Sequence, residues 1–275
     1  METMTKPDSL MNETRVNDIA NNKGESRGEF VQSLVKGLTV IKAFNQQRPS
    51  MTLSQVAKVT GFTRAATRRF LLTLVNEGYA KQDGKQFSLT AKVLDLGFSY
   101  LSTLDIWHNA KPMMSELVEL LNESCSAAVL DGNDVVYVAR VATTKRIMSI
   151  TLNIGSRLPA FATSMGRVLL ADMSDHLLNN FIDKCQFEQF TSYTITGKIA
   201  LKAEIAQVKK QGYSLVEQEL ETGLTSISVP VHNGSGEVIA ALNVSTHMSQ
   251  TARQQILEVI LPALLQCANK VERLG

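Results

Sequence analysis

The residues best suited to chemistry in this chain are the cations of the stretch TRAATRRF, residues 63–70. Arg64 and Arg68 are spaced by one helical turn, so a helix would place both on one face, with Arg69 beside them. Arginine can donate two hydrogen bonds to one guanine, and a single helix fits the major groove of duplex DNA. A membrane surface, an acidic protein or solvent alone would also suit this basic stretch. The elements around it are therefore needed to identify its partner.

Side chains that could support catalysis or hold a metal ion do not occur in the spacings that these functions require. Ser164 lies in ATSMGR, which does not match the GxSxG turn of serine hydrolases. The histidines form no HExxH pattern and the cysteines no CxxC pair, so we predict no metal site and no cofactor. Glu217, Glu219 and Glu221 alternate along a loop-like stretch, which indicates a solvated acidic edge. We predict that the chain is not an enzyme; the alternative is a hydrolase with a DNA-binding appendage.

Charge is distributed unevenly along the 275 residues. Residues 30–95 contain ten basic and three acidic residues, a net charge of +7, whereas the whole chain carries +2. This indicates a polyanion-binding module joined to a mildly acidic second domain. Residues 1–29 are polar and predict a disordered tail. Three scattered cysteines, no signal peptide and no long apolar run predict a cytoplasmic protein that does not enter a membrane.

The elements around the arginines predict a winged helix–turn–helix domain over residues 30–89. Apolar residues at steps of three and four predict a helix over 31–44, and a short helix capped by Thr52 or Ser54 follows. Thr63 can cap the next helix, which would end near Gly78. Two short alternating runs around Asp83-Gly84 then predict a hairpin, the wing.

On the third helix we expect one face toward DNA and the other toward the core. We expect Ala66, Phe70, Leu74 and Leu71 to point inward, and Arg69 to lie on the shoulder. Polar and cationic residues of the turn and wing would meet phosphates, which fix position rather than sequence. The predicted DNA-binding residues are Ser54, Thr63, Arg64, Ala65, Thr67, Arg68, Arg69, Lys81 and Lys85.

The rest of the chain predicts a linker helix and an α+β domain. Residues 90–105 keep helical spacing, and a helix from about Trp107 opens a domain over residues 106–275. The period then shifts to two: a hairpin around residues 131–134 is followed by a strand over 146–155. Helices and further strands complete a mainly antiparallel sheet with helices packed on it.

Several motifs, in order, resemble the IclR family of bacterial transcription regulators. LVKGLTVIKAF and LSQVAKVTGFTRAATRRFLLTLVNEGY are similar to its N-terminal domain, and GSRLPAFATSMGRVLLA and GLTSISVPVHNGSGEVIAALNVS to its effector domain. The residues of these motifs are most similar to those of the subgroup that regulates catabolism of protocatechuate and 4-hydroxybenzoate. The resemblance implies a winged helix–turn–helix, a linker helix and a GAF-like effector-binding domain. It also implies dimers or tetramers on palindromic operators of double-stranded DNA, and RNA polymerase as a partner if the protein is an activator.

The resemblance also implies an effector site for a small organic acid, formed by Ala162, Thr163, Ser164, Met165, Ser226, Asn243 and Ser245. Ser226 and Ser228 share one strand face, as do Asn243 and Ser245, but strand register decides whether the two pairs meet. Ser164 begins a helix, where free N–H groups favour a carboxylate. Arg146 and Arg157 are candidate cations for that carboxylate, with a structural ion pair as the alternative for each.

Two positions depart from family members that bind small polar acids. Those members often carry a cysteine where this chain has Ser226 and an aspartate where it has Val216. The loss of polarity favours a larger, more apolar effector and implies an aromatic acid. The alternatives are a regulator that senses a non-aromatic acid, or one whose C-terminal domain only oligomerises.

Overall fold

The computed structural model describes residues 30–102, 105–143 and 152–274. The chain divides into two compact units, Met1–Phe98 and Ser99–Gly275. The predicted tail over 1–29 and most of the predicted strand over 146–155 lie outside the described residues. In the described part of the chain, no helix is long and apolar enough to cross a membrane.

The N-terminal unit is a helix–turn–helix with a small sheet. Its helices are α1 (Gln32–Lys42), α2 (Leu53–Thr60) and α3 (Arg64–Asn76). Its strands are β1 (Ser50–Thr52), β2 (Ala80–Asp83) and β3 (Gln86–Leu89), paired antiparallel in the order β1-β3-β2. Strands β2 and β3 are the predicted wing, and β1 extends the wing by a strand that the sequence pattern did not predict.

Capping residues fix the turn between α2 and α3. The Thr52 side chain accepts from the backbone of Gln55, whose own side chain bonds back to Thr52, so the pair forms a capping box. Gly61 ends α2 at φ 71°, a left-handed conformation that disfavours side chains with a Cβ. Thr63 then caps α3, and the helix ends before Gly78. These caps agree with the predicted helix boundaries.

The inward face of α3 differs from the prediction at Thr67. Thr67 is fully buried rather than facing DNA, and its hydroxyl donates to the Thr63 carbonyl at 3.0 Å. Leu71, one turn further, is fully buried, as expected. Phe70 and Leu74 face inward as expected and pack, half-buried, against the core of this unit. Thr67 can face the core because its hydroxyl is satisfied within its own helix.

A short 3₁₀ turn (Ala91–Val93) and helix α4 (Leu94–Leu101) follow the wing, at the position of the predicted linker. Helix α5 (Asp105–Leu121) opens the C-terminal unit and contains Pro112. The unit ends in one helical run made of α9 (Arg253–Gln255), a π-helical turn (Ile256–Ile260) and α10 (Leu261–Glu272).

The C-terminal unit is built on a six-stranded antiparallel sheet in the order β6-β5-β4-β9-β8-β7. The strands are β4 (Ser124–Asp131), β5 (Asp134–Val141), β6 (Arg157–Pro159), β7 (Ser214–Glu217), β8 (Leu224–His232) and β9 (Val238–His247). The predicted hairpin at residues 131–134 joins β4 to β5, with Gly132 at φ 63°.

Helices cover both faces of this sheet. One face carries Cys125, Leu242 and Val229 and packs against α5 and α10. The other face carries Ala128, Tyr137 and Ala241 and packs in one core with α6 (Ser164–Ala171), α7 (Asp175–Lys184) and α8 (Lys198–Gln211). We call the second face the α6 face. The sheet and helices are the α+β architecture that the sequence predicted, and α6 places the LPAFATS motif over the sheet.

Candidate functional sites

The exposed surface of α3 is a candidate DNA-reading surface. Arg64, Ala65, Arg68 and Arg69 are all exposed. The Arg64 guanidinium donates to the Ser54 hydroxyl on α2 at 2.6 Å. Arg64 was predicted to contact bases and Ser54 to contact phosphate, so the two predicted DNA-binding residues are hydrogen bonded to each other. This bond limits the rotamers of Arg64, which lowers the entropy lost when a ligand orders the side chain.

The remaining predicted contacts on this unit lie around α3. Thr63 is exposed at the start of the helix, although its side chain is occupied as the cap. Lys81 and Lys85 are exposed on β2 and in the turn of the wing. Thr67 cannot contact DNA from its observed position because it is buried. The structure therefore presents eight of the nine predicted residues on or next to an exposed, basic surface.

A small cavity on the α6 face collects the predicted effector residues. It is lined by Tyr137, Leu158, Ala162, Thr163, Ser164, Met165, Val216, Glu219, Leu220, Leu224, Ser226, Asn243 and Ser245. All seven residues implied by the family motifs are in this set. The cavity volume is about 30 Å³, enough for roughly one water molecule. Apolar walls with a few convergent polar groups are typical of small-molecule sites.

Hydroxyl and amide groups meet at one end of the cavity because of the strand register. Ser226 pairs with Ser245, and Ser228 pairs with Asn243, so both predicted pairs face α6. This settles the register question that the sequence left open. We call Ser164, Ser226, Ser228, Asn243 and Ser245 the serine–asparagine cluster.

The members of this cluster are directly hydrogen bonded. The Ser164 Oγ lies 2.8 Å from Ser226 Oγ and 2.7 Å from Ser228 Oγ. The Asn243 Nδ2 donates to Ser226 Oγ at 2.9 Å and Ser245 Oγ at 3.0 Å. The Asn243 Oδ1 is buried and accepts no hydrogen bond from any residue that the structure describes. The cluster therefore holds an amide oxygen that an incoming donor would satisfy.

The start of α6 is built as the motif implies. Thr163 is the cap, and its side chain accepts from the Gly166 N–H at 3.1 Å. Gly166 is required there because a Cβ at that position would lie 2.0 Å from the Ala160 carbonyl oxygen. The next residues of the helix start, Ser164 and Met165, are each 1% exposed.

The two predicted cations are not brought to the cavity. Arg146 lies outside the described residues. Arg157 donates to Asp131 at 2.7 Å and Asp134 at 3.1 Å, in the exposed turn between β4 and β5. Its neighbour Leu158 lines the cavity instead, since successive residues of a strand face opposite sides. For Arg157 the structure supports the ion-pair alternative.

A buried ion pair beside the cavity was missed. Arg167, on α6, is 1% exposed and donates to Glu219 Oε2 at 2.7 Å and to the Phe161 carbonyl at 3.0 Å. Glu219 Oε2 also accepts from the Ile195 N–H at 2.9 Å. Glu219 was predicted to lie on a solvated edge, but it is 6% exposed. The expectation was wrong because the two residues are 52 positions apart in the sequence, so residue spacing alone could not pair them.

Comparison with protein families identifies the class of protein. The model for the bacterial transcriptional regulator IclR C-terminal domain matches residues 98–273, and the model for the IclR helix-turn-helix domain matches residues 33–84. The chain therefore belongs to the IclR family of transcription regulators, as the motifs indicated.

Three individual proteins show what the chain is similar to within and beyond this family model. The Pca regulon regulatory protein of Pseudomonas putida is 44% identical over 241 residues, which cover 88% of this chain and 83% of that protein. The crystal structure of a transcriptional regulator from Rhodococcus sp. RHA1 is 44% identical, with a TM-score of 0.79 over 89% of this chain and 98% of that one. The inducer-binding domain of an Acinetobacter PobR double mutant, in complex with 3-hydroxybenzoic acid, is 31% identical. Its TM-score is 0.58 over 62% of this chain and 98% of that one.

Proposed function

We propose that this regulator controls genes of aromatic acid catabolism and that a hydroxylated benzoate, such as protocatechuate or 4-hydroxybenzoate, is its effector. The observation that carries this is the cavity on the α6 face, where apolar walls meet the serine–asparagine cluster. The hydroxybenzoate complex of the related inducer-binding domain supports the ligand class. Val216, where small-acid sensors often carry an aspartate, is buried and adds an apolar wall.

Effector binding must change the shape of the unit. A cavity of about 30 Å³ does not hold an aromatic ring, so the ring enters only if α6 or the segment around Leu220 moves away from the sheet. A ligand that binds the widened state shifts the population toward it. That shift is the step through which an effector would alter DNA binding.

DNA recognition is proposed to use α3 in the major groove of a palindromic operator, with Arg64 and Arg68 at base edges and the wing lysines on phosphates. Two-fold operators require a dimer or tetramer. Support comes from large apolar side chains left exposed in the N-terminal unit: Phe30, Val31, Leu34, Leu38, Leu94, Leu96 and Phe98. The site of action would be the cytoplasm, where the DNA is, with RNA polymerase as a partner if the protein activates.

The test is a titration of the purified chain with protocatechuate, 4-hydroxybenzoate and simple dicarboxylates. Trp107, the single tryptophan, is 6% exposed in the core under the sheet and reports the C-terminal unit by fluorescence. We expect the aromatic acids to raise the melting temperature of that unit, since a ligand of the folded state stabilises it. A unit that only oligomerises would respond to none of them, and a sensor of non-aromatic acids would respond to the dicarboxylates.

A further inference from the structure

Strand β5 contains a β-bulge that brings Tyr137, which lines the cavity, and Arg140, which does not, to the same face of the sheet. Ala127 pairs with Ala139, but Ala128 pairs with Tyr137, so Val138 is an extra residue in β5. Tyr137 and Arg140 are three residues apart and would face opposite sides of a regular strand. With the bulge both face the α6 side, because Arg140 pairs with Ser126 and Ser126 pairs with Asn243. Bulges often redirect side chains next to functional sites.

Tyr137 is a buried phenol without a partner. It is 4% exposed and lines the cavity, and no described residue hydrogen bonds to its hydroxyl. Burial raises its pKa to about 12, against the opposing influence of the nearby Arg140 charge. The hydroxyl therefore stays protonated at physiological pH and can donate. Because Tyr137 lines the cavity, its hydroxyl can donate to a ligand bound there.

Arg140 is a half-buried cation without a carboxylate. Its Nη1 donates to Ser126 Oγ at 2.8 Å, which leaves other donors of the guanidinium unused. No acidic side chain in the described ranges lies within ion-pair distance of it. Arg157 and Arg167, by contrast, are both paired with carboxylates. Arg140 is thus the arginine on the α6 face whose charge is available to an acid.

We propose that Tyr137 and Arg140 form the carboxylate-binding end of the effector site, opposite the serine–asparagine cluster, which takes the ring hydroxyl. The proposal rests on the proposed function. Strand β5 is two strands from β9, about 10 Å between backbones, and the Arg140 side chain extends from β5 to Ser126 on the intervening β4. A ring with a hydrogen bond at each end therefore fits between Arg140 and Asn243 only in the widened state of the unit. A guanidinium fork matches a carboxylate, and the unsatisfied Asn243 Oδ1 matches a hydroxyl donor. The effector would thus bind in the orientation opposite to the one that the sequence predicted, in which the carboxylate lies at the helix start at Ser164.

The experiment measures binding of 4-hydroxybenzoate and its methyl ester to the full chain by calorimetry. Wild type should prefer the acid. Arg140→Met should weaken acid binding about 10- to 100-fold and ester binding less than about 3-fold, because only the acid carries the charge. Tyr137→Phe, which removes one oxygen, should weaken acid binding about 3- to 10-fold. Arg157→Met is the matched control and should leave both affinities unchanged.

The outcomes separate this proposal from the proposed function. If wild type binds neither compound, the proposed function falls and this assignment falls with it. If wild type binds and Arg140→Met retains the preference for the acid, the assignment is overturned while the function stands. Ser164→Ala would then be expected to remove the preference. If Arg140→Met does not fold, unchanged acid affinity of Tyr137→Phe overturns the assignment and reduced affinity upholds it.

Discussion

Replacing Glu219 with leucine should destabilise the C-terminal unit strongly, because it leaves the buried Arg167 with the more distant and partly exposed Glu204, at 3.8 Å, as its counter-charge. The two side chains are 6% and 1% exposed, and their closest N–O distance is 2.7 Å. Removal of one partner from such a pair costs about 3–5 kcal/mol, most of it the penalty for the remaining charge. The Ile195 N–H also loses its acceptor. We expect a destabilisation of about 3–5 kcal/mol.

For a unit of this size, 1 kcal/mol corresponds to roughly 2–4 °C, so the melting temperature should fall by about 6–20 °C. The measurement is urea and thermal unfolding followed by Trp107 fluorescence, which reports the C-terminal unit separately from the N-terminal one. Asp131→Leu is the control. It breaks an ion pair of Arg157 in which both side chains are exposed, and it should change stability by less than about 1 kcal/mol.

The double variant Arg167→Met/Glu219→Leu distinguishes the cause. If the penalty comes from an unpaired charge, removing both charges should recover most of the lost stability, since apolar side chains of similar volume often replace a buried pair without loss. A single Glu219→Leu variant within about 1 kcal/mol of wild type would refute the reasoning. So would a double variant as unstable as the sum of the two single variants.

Three further predictions concern the N-terminal unit and are measured by operator binding in a fluorescence anisotropy titration. Arg68→Ala should weaken binding by about 1–3 kcal/mol and relax sequence preference, and equal selectivity would remove Arg68 from the base-reading set. Lys85→Ala should weaken binding to all sequences and reduce the salt slope by about 1; an unchanged slope would exclude a phosphate contact. Thr67→Val should leave DNA affinity unchanged, since the side chain is buried, and lower stability by about 1 kcal/mol; a loss of affinity in a folded variant would contradict the buried position.

Local signals predicted most of the secondary structure. Capping by Thr63, the glycine stops after α2 and α3, and the hairpin turn at residues 131–134 depend on neighbouring residues alone, so the sequence carries them directly. Strand β1 escaped prediction because it is three residues long and pairs with β3 more than thirty residues later. Periodicity carries no information about such pairing.

The errors in the candidate sites arise where tertiary packing decides. On α3, Leu71 is buried as expected, but Thr67, which its polarity placed on the outward face, is fully buried as well. Glu219 looked solvated because its partner, Arg167, lies far away in sequence. Tyr137 and Arg140 were not singled out because an odd spacing of three separates faces in a strand, and the bulge that joins them leaves no clear mark in the sequence.

The small volume of the cavity also affects the rate at which an effector binds. If the ring can enter only after the walls separate, the measured rate of binding should rise with acid concentration and then level off at the opening rate of the protein. Collective openings of this kind take microseconds to milliseconds or longer, whereas an open pocket fills as fast as ligand diffuses to it. A plateau in the binding rate would therefore show that the small cavity must widen before the effector binds, whereas a rate that stays proportional to acid concentration would show that it need not.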